Sequence, residues 1–169
     1  MMALKDILYR VTINAVVGST LVDINAIQFD SRNIHDNDLF VAIKGTIVDG
    51  HDFIEKAITK GARAVVCEKL PDNFHNGITY VEVKNASRAL AFMASNFYEV
   101  PSENLKLVGV TGTNGKTTVV TLLYQLFKKA GFKVGLLSTV KIMVDNKEYK
   151  ATHTTPDSVT INSYLHQMV

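Results

Sequence analysis

Residues 108–118 read VGVTGTNGKTT, an apolar stretch that runs into two glycines and then into Lys-Thr-Thr. Gly112 and Gly115 allow the chain to bend tightly and bring backbone N–H groups close to an anion. Lys116 would supply a point charge to β- and γ-phosphates, and the Thr117 hydroxyl would sit at Mg²⁺. The helix that follows would direct its positive N-terminal end at the same place. The general phosphate-loop pattern asks for glycine at 110, where Val110 stands. The plainer alternative is a Gly-Thr turn between a core strand and a core helix.

The elements around this loop follow from apolar spacing. Leu105, Leu107, Val108 and Val110 predict a short strand covered on both faces. Val119, Val120, Leu122, Leu123, Leu126 and Phe127 recur at helical spacing, Lys128 and Lys129 suit the negative C-terminal end, and Gly131 is a natural stop. FKVGLLST (132–139) predicts the next strand, so strand, helix and strand form a right-handed parallel crossover. Upstream, AIQFDSR (26–32), DLFVAI (38–43), ARAVVCE (62–68) and ITYVEVK (78–84) read as strands. HDFIEKAITKG (51–61) and NASRALAFMASNFYEV (85–100) read as helices, the second with Ala89, Leu90, Met93 and Phe97 on its inner face. The polar, proline-bearing VPSENLK (100–106) reads as a linker. The expected fold is α/β: a small N-terminal α/β domain over 1–103, then over 104–169 the start of a mostly parallel, doubly wound nucleotide-binding domain of the P-loop kind. Only one crossover of that second sheet is complete, so the chain is expected to be a fragment of a longer protein.

Near the end, HTTPD (153–157) predicts a helix start, with Thr155 as N-cap, Pro156 at the first helical position and Asp157 at the positive end. A helix N-terminus with two adjacent hydroxyls also suits a carboxylate or phosphate.

Composition narrows the class. The chain has 169 residues, 47% hydrophobic and 20% charged, as in an ordinary globular protein. A net charge of +2 with no basic cluster gives no support for nucleic-acid binding. Cys67, the one cysteine, has no partner for an internal disulfide, which fits a reducing cytoplasm. The start, MMALKDILYRVTINAVVG, has no long apolar core and is neither signal peptide nor membrane span.

TGTNGKTT (111–118) resembles the phosphate loop of the Mur ligases and their folylpolyglutamate synthetase relatives, which lack the first glycine of the general pattern. DSRNIHDNDLFVAIKGTIVDGHDFIEKAITKGARAVV (30–66) is similar to the N-terminal domain of the ligases that extend UDP-N-acetylmuramoyl peptides. THTTPDS (152–158) resembles a segment of the tripeptide synthetase branch. The resemblance implies that Gly112, Thr113, Asn114, Gly115, Lys116, Thr117 and Thr118 bind ATP, with Lys116 catalytic and Thr117 at Mg²⁺. It implies that Phe29, Ser31, Thr46, Ile47 and Val48 grip the uridine nucleotide, and that Thr154 and Thr155 bind the muramoyl peptide. On the residues alone, Asp30, Ser31 and Arg32 could equally end a strand. His51 reads as a cap or surface residue of the following helix rather than a catalyst, and His153 has no assigned role.

The reaction implied is ATP-dependent amide-bond formation. The terminal carboxylate of UDP-N-acetylmuramoyl-L-alanyl-D-glutamate is phosphorylated, and the acyl phosphate is displaced by the amine of meso-diaminopimelate or L-lysine. Three rivals stand beside it: the sister ligase that adds D-Ala-D-Ala, a P-loop small-molecule kinase, and a non-catalytic nucleotide-binding module. The isolated chain is expected not to ligate, and its second half to be loosely ordered or covered by self-association.

Overall fold

The computed structural model describes residues 1–150 and 156–169, which fall into two compact units, Met1–Phe97 and Tyr98–Val169. The first unit runs β1 (Met2–Ala3), α1 (Leu4–Ile7), β2 (Ile13–Val17), β3 (Asp23–Ile24), β4 (Ile27–Gln28), β5 (Asp38–Val41), α2 (Ile54–Thr59), β6 (Ala62–Cys67), β7 (Thr79–Val83) and α3 (Ala86–Phe97). Five strands form one sheet in the order β2-β7-β6-β5-β4. β4, β5, β6 and β7 are parallel to their neighbours, and β2 closes one edge antiparallel to β7. The small α/β domain expected at the N-terminus is therefore found, and its sheet is mostly parallel.

Covering both faces of a parallel sheet makes its strands continuous apolar runs rather than alternating ones. All four residues of β5 are buried, as are five of the six in β6. Phe40, Ala42, Val65, Cys67 and Tyr80 form one cluster with Ile54 and Ala57 of α2. A buried Val, Leu or Phe of this kind contributes about 1.5–3 kcal/mol relative to an exposed one. Cys67 is part of this core, and burial pushes its thiol up to about 11. α1 packs on α3, and the Asn96 side-chain amide donates to the carbonyls of Ile7 at 2.9 Å and Tyr9 at 2.6 Å, tying the start of the unit to its last helix.

Three segments of this unit differ from the elements expected from apolar spacing. β4 ends at Gln28, and Ser31–Asn33 is a 3₁₀ turn, because the Asp30 carboxylate accepts from both the backbone N–H and the guanidinium of Arg32 and winds the chain. The helix expected over 51–61 opens with a 3₁₀ turn, Gly50–Phe53, and is α-helical only from Ile54. The first 25 residues, given no elements above, supply α1 and three strands.

The second unit contains α4 (Lys116–Lys129), β8 (Gly135–Leu137), β9 (Lys141–Val144), β10 (Lys147–Lys150) and α5 (Ser158–Met168). Before them, Glu99 and Val100 take left-handed φ values of 61° and 50°, and Pro101–Asn104 forms a 3₁₀ turn within the stretch read as a linker. β8, β9 and β10 make an antiparallel meander in the order β10-β9-β8. Tyr124 of α4 packs on Leu136 and Met143, and its hydroxyl donates to the carbonyl of Asp145 at 2.7 Å.

Here the parallel crossover is not formed within the described residues. Residues 105–110 are not a strand, and Leu107 and Val108 are 60% and 66% exposed. A strand exists only where a neighbour takes up its hydrogen bonds, and among the described residues no strand pairs with this segment. For the same reason Val119, Leu122, Leu126 and Phe127 of α4, expected inside, are exposed. The hairpin β9–β10 was not anticipated; Asp145 takes a left-handed φ of 51° at its turn. In α5 the cap is Asp157, not Thr155: its carboxylate accepts from Thr160 N–H at 2.9 Å and Thr160 Oγ1 at 2.7 Å. Met168 lies over Gly135 and Leu165 is buried, so part of the apolar face of α5 is covered within its own unit.

Candidate functional site

α4 starts at Lys116, immediately after the glycine loop, with Gly115 as N-cap at φ 78° and no side chain capping the helix. Gly112 has φ 151°. A helix leaves the first four of its N–H groups without intrahelical partners, and each of the other long helices has a side-chain acceptor for at least one of them. Asn85 Oδ1 and Glu68 Oε1 accept from Arg88 N–H and Ala86 N–H at the start of α3, and Asp157 does the same for α5. Only α4, of these three, begins without a side-chain acceptor. The Lys116 ammonium folds back over the loop, donating to the carbonyls of Gly112 at 2.5 Å and Thr113 at 3.2 Å. Thr117 is half-buried while Thr111 to Lys116 and Thr118 are exposed, so the loop presents its backbone to solvent. This donor set, with a lysine and a hydroxyl at a bare helix end, fits a magnesium-bound polyphosphate. Among the described residues no cluster of His, Cys, Asp and Glu forms a metal site.

In the first unit the other predicted residues sit on two loops that leave the carboxyl ends of adjacent parallel strands, the side of an open α/β sheet where ligands bind. Phe29 and Ser31 follow β4; Phe29 is 40% exposed and Ser31 is buried. Thr46, Ile47 and Val48 follow β5 and are exposed, Ile47 at 95%. The β5 loop is a small hairpin: Gly45 N–H donates to Val48 O at 3.0 Å, Gly50 N–H to Ile43 O at 2.9 Å, and Lys44 pairs antiparallel with Asp49. Both glycines are required by space. A Cβ on Gly50 would meet Ile43 O at 2.6 Å, and one on Gly45 would meet Val48 O at 2.8 Å.

Electrostatics stiffen both loops. The Arg32 guanidinium, with the Arg32 amide, holds the Asp30 carboxyl below the ordinary carboxylate value. The His51 amide and then its imidazole do the same for Asp49. The spacing of residues did not reveal this second arrangement. His51 is not the cap of its turn; Asp49 is, and the ring of His51 reaches 2.6 Å from Asp49 Oδ1 and 2.9 Å from the Glu68 amide nitrogen. Its partner at Glu68 is a backbone group, which no sequence pattern marks. Thr154 and Thr155, expected at the peptide substrate, lie outside the described residues, as does His153.

A family model described as the Mur ligase family catalytic domain matches residues 23–98, and one described as the Mur ligase middle domain matches residues 110–169. The UDP-N-acetylmuramoyl-L-alanyl-D-glutamate–2,6-diaminopimelate ligase of Cytophaga hutchinsonii is 53% identical over 169 residues, 99% of this chain and 35% of its own length. The solved structure of a UDP-N-acetylmuramoyl-L-alanyl-D-glutamate–2,6-diaminopimelate ligase aligns over 99% of this chain and 33% of its own, with a TM-score of 0.69 at 21% identity, and shows the fold. The MurF ligase of Thermotoga maritima, solved in complex with ADP, aligns over 68% of this chain and 25% of its own at 33% identity and a TM-score of 0.51. The chain thus spans about a third of the length of the relatives it matches, and it is there that its loops and strands find their counterparts: it belongs to the Mur ligase family.

Proposed function

We propose that this chain supplies the uridine- and ATP-binding parts of a ligase that joins 2,6-diaminopimelate to UDP-N-acetylmuramoyl-L-alanyl-D-glutamate in peptidoglycan precursor synthesis. The observation that carries the reading is the start of α4: a glycine loop, a lysine over it, and a helix end left without a side-chain cap. Gly112, Thr113, Asn114, Gly115 and Thr118 cradle the phosphates, Lys116 neutralises the charge of the transferring phosphoryl group, and the Thr117 hydroxyl faces Mg²⁺. When bound, ATP supplies the phosphoryl group that activates the substrate carboxylate.

Residues 1–103 act as the UDP-substrate domain and 104–169 as the first part of the ATP-binding domain. Phe29 and Ser31 after β4, with Thr46, Ile47 and Val48 after β5, take the uridine nucleotide, because both loops leave the same end of the sheet. Thr154 and Thr155 contact the peptide, a role that rests on the resemblance alone. Diaminopimelate is preferred to lysine, and to the D-Ala-D-Ala dipeptide, because the relatives at 53% and 47% identity bear the 2,6-diaminopimelate name. Action in the cytoplasm follows from the proposed use of ATP and a UDP-linked substrate, which are cytoplasmic metabolites; among the described residues no helix is long and apolar enough to cross a membrane. The exposed Leu107, Val108, Leu122 and Leu126 support self-association of the chain when it is handled alone.

The test uses the whole protein with Mg-ATP, the UDP-dipeptide and either diamino acid, following phosphate and the UDP-tripeptide by mass. Phosphate release that requires both the UDP-dipeptide and diaminopimelate is expected. Release that is indifferent to the UDP-dipeptide would sink the reading.

A further inference from the structure

The ring of His51 is four-fifths covered, and both of its nitrogens are engaged. The Glu68 backbone N–H can only donate, so Nε2 of His51 accepts, at 2.9 Å. The ring proton is therefore on Nδ1, which donates to Asp49 Oδ1 at 2.6 Å. Asp49 Oδ1 also accepts from His51 N–H at 3.0 Å. Glu68, the residue after β6, sends its Oε1 to the Ala86 N–H at the start of α3, which follows β7. One hydrogen-bonded chain thus links the segments leaving β5, β6 and β7. The tip of the β5 loop has little else to hold it, since Ile47 is 95% exposed and Val48 is 53% exposed.

We infer that His51 is a positioning residue: its imidazole clamps the 43–50 loop to the end of β6 and so sets the geometry in which that loop takes the UDP-sugar peptide. The inference rests on the uridine assignment made above. Without the clamp, the hairpin keeps its own two backbone bonds and Ala42 N–H keeps its bond to Val66 O, but the 43–50 loop loses its side-chain tie to the end of β6.

Two variants separate the clamp from mere filling of space. In His51→Gln the amide oxygen reaches the place of Nε2 and can accept from Glu68 N–H; His51→Leu fills a similar volume with no polar atom. In the whole protein His51→Leu is expected to raise KM for UDP-N-acetylmuramoyl-L-alanyl-D-glutamate about tenfold, as for a lost hydrogen bond of this class. KM for ATP and kcat should stay near those of the parent, and His51→Gln should recover most of the loss. In the 169-residue chain without ligand, hydrogen exchange of the amides of residues 44–50 should quicken about tenfold in His51→Leu and not in His51→Gln. Exchange at Val81, in the core, should not change and so reports folding. Should His51→Leu fail to fold, Asp49→Ala opens the other end of the clamp and is read by the same two measurements. Unchanged loop exchange would overturn the clamp, whether or not the protein ligates. Quickened exchange with an unchanged KM for the UDP-dipeptide would overturn its role in binding and take the uridine assignment of the loop with it.

Discussion

The two glycine-bearing loops of this chain are made in opposite ways. In the loop after β5, glycine stands where the backbone crosses itself, and an added Cβ on Gly50 would meet Ile43 O at 2.6 Å and Ile43 N at 2.7 Å. In the loop before α4, an added Cβ on Gly115 meets nothing within 4 Å, and glycine is needed there only for its φ of 78°. The first loop is shaped by its own neighbours and by the Asp49–His51 pair. The second has open space around it and a lysine folded onto its own carbonyls. A preformed loop suits selection of one nucleotide base and sugar. A loop with its donors exposed suits a ligand that brings its own charge and completes the shape.

The largest effect expected from this contrast is at Lys116. Lys116→Ala in the whole protein should lower turnover by at least about a hundredfold, the scale of one preorganised charge contact. Its melting temperature should not move, because the side chain is exposed and bonds only to loop carbonyls. Near-normal turnover would end the assignment of the loop to phosphate.

Next come the glycines themselves. Gly50→Ala drives a methyl group into backbone and should destabilise the first unit by about 3 kcal/mol. Gly115→Ala meets only the left-handed φ, worth about 1 kcal/mol. Denaturant titrations that gave the reverse order would mean that the two loops have been read the wrong way round.

The smallest effect sharpens the picture of the frame under the first loop. Asp38 opens β5 and is buried, and burial raises its carboxyl above the ordinary 3.8. A raised carboxyl favours the folded state when protonated, so its stability contribution is present below 3.8 and is lost as pH rises through the folded value. Asp38→Asn keeps an acceptor for the His35 N–H, 2.9 Å away, without the charge. It should therefore be at least as stable as the parent at neutral pH, and any advantage should shrink as the pH falls toward 3.8. A variant less stable at neutral pH, with the difference vanishing in acid, would show that the ionised carboxylate makes a contact that outweighs its burial.

Much of this architecture can be read from local pattern. β5 and β6 are runs of Leu, Val, Phe and Ala dense enough to require cover on both faces, and α4 begins where the Gly-Lys step places it. The pattern fails where the answer depends on a distant neighbour. Leu105, Leu107, Val108 and Val110 have the composition of a core strand, but periodicity reports the capacity for burial and not the presence of a ladder partner. In the β9–β10 hairpin, Lys141, Lys147 and Lys150 dilute the apolar signal, and the turn depends on a left-handed Asp145 rather than on glycine. At the candidate site, Lys116 and its loop are legible because their spacing is local. The clamp of His51 on Glu68 is not, because it joins positions 17 apart through a backbone amide that every residue but proline possesses.

The reach of Asn96 back to the carbonyls of Ile7 and Tyr9, 89 and 87 positions earlier, bears on how this protein is born. α1 leaves the ribosome well before its partner α3, which is the last element of the unit to be made. At a synthesis rate of about 5–20 residues per second the opening segment waits on the order of ten seconds for the helix that holds it. β2, with its exposed Ile13 and Val16, waits likewise for β7. During that interval the nascent chain carries an unpaired strand and an uncovered apolar turn, the kind of surface that chaperones bind.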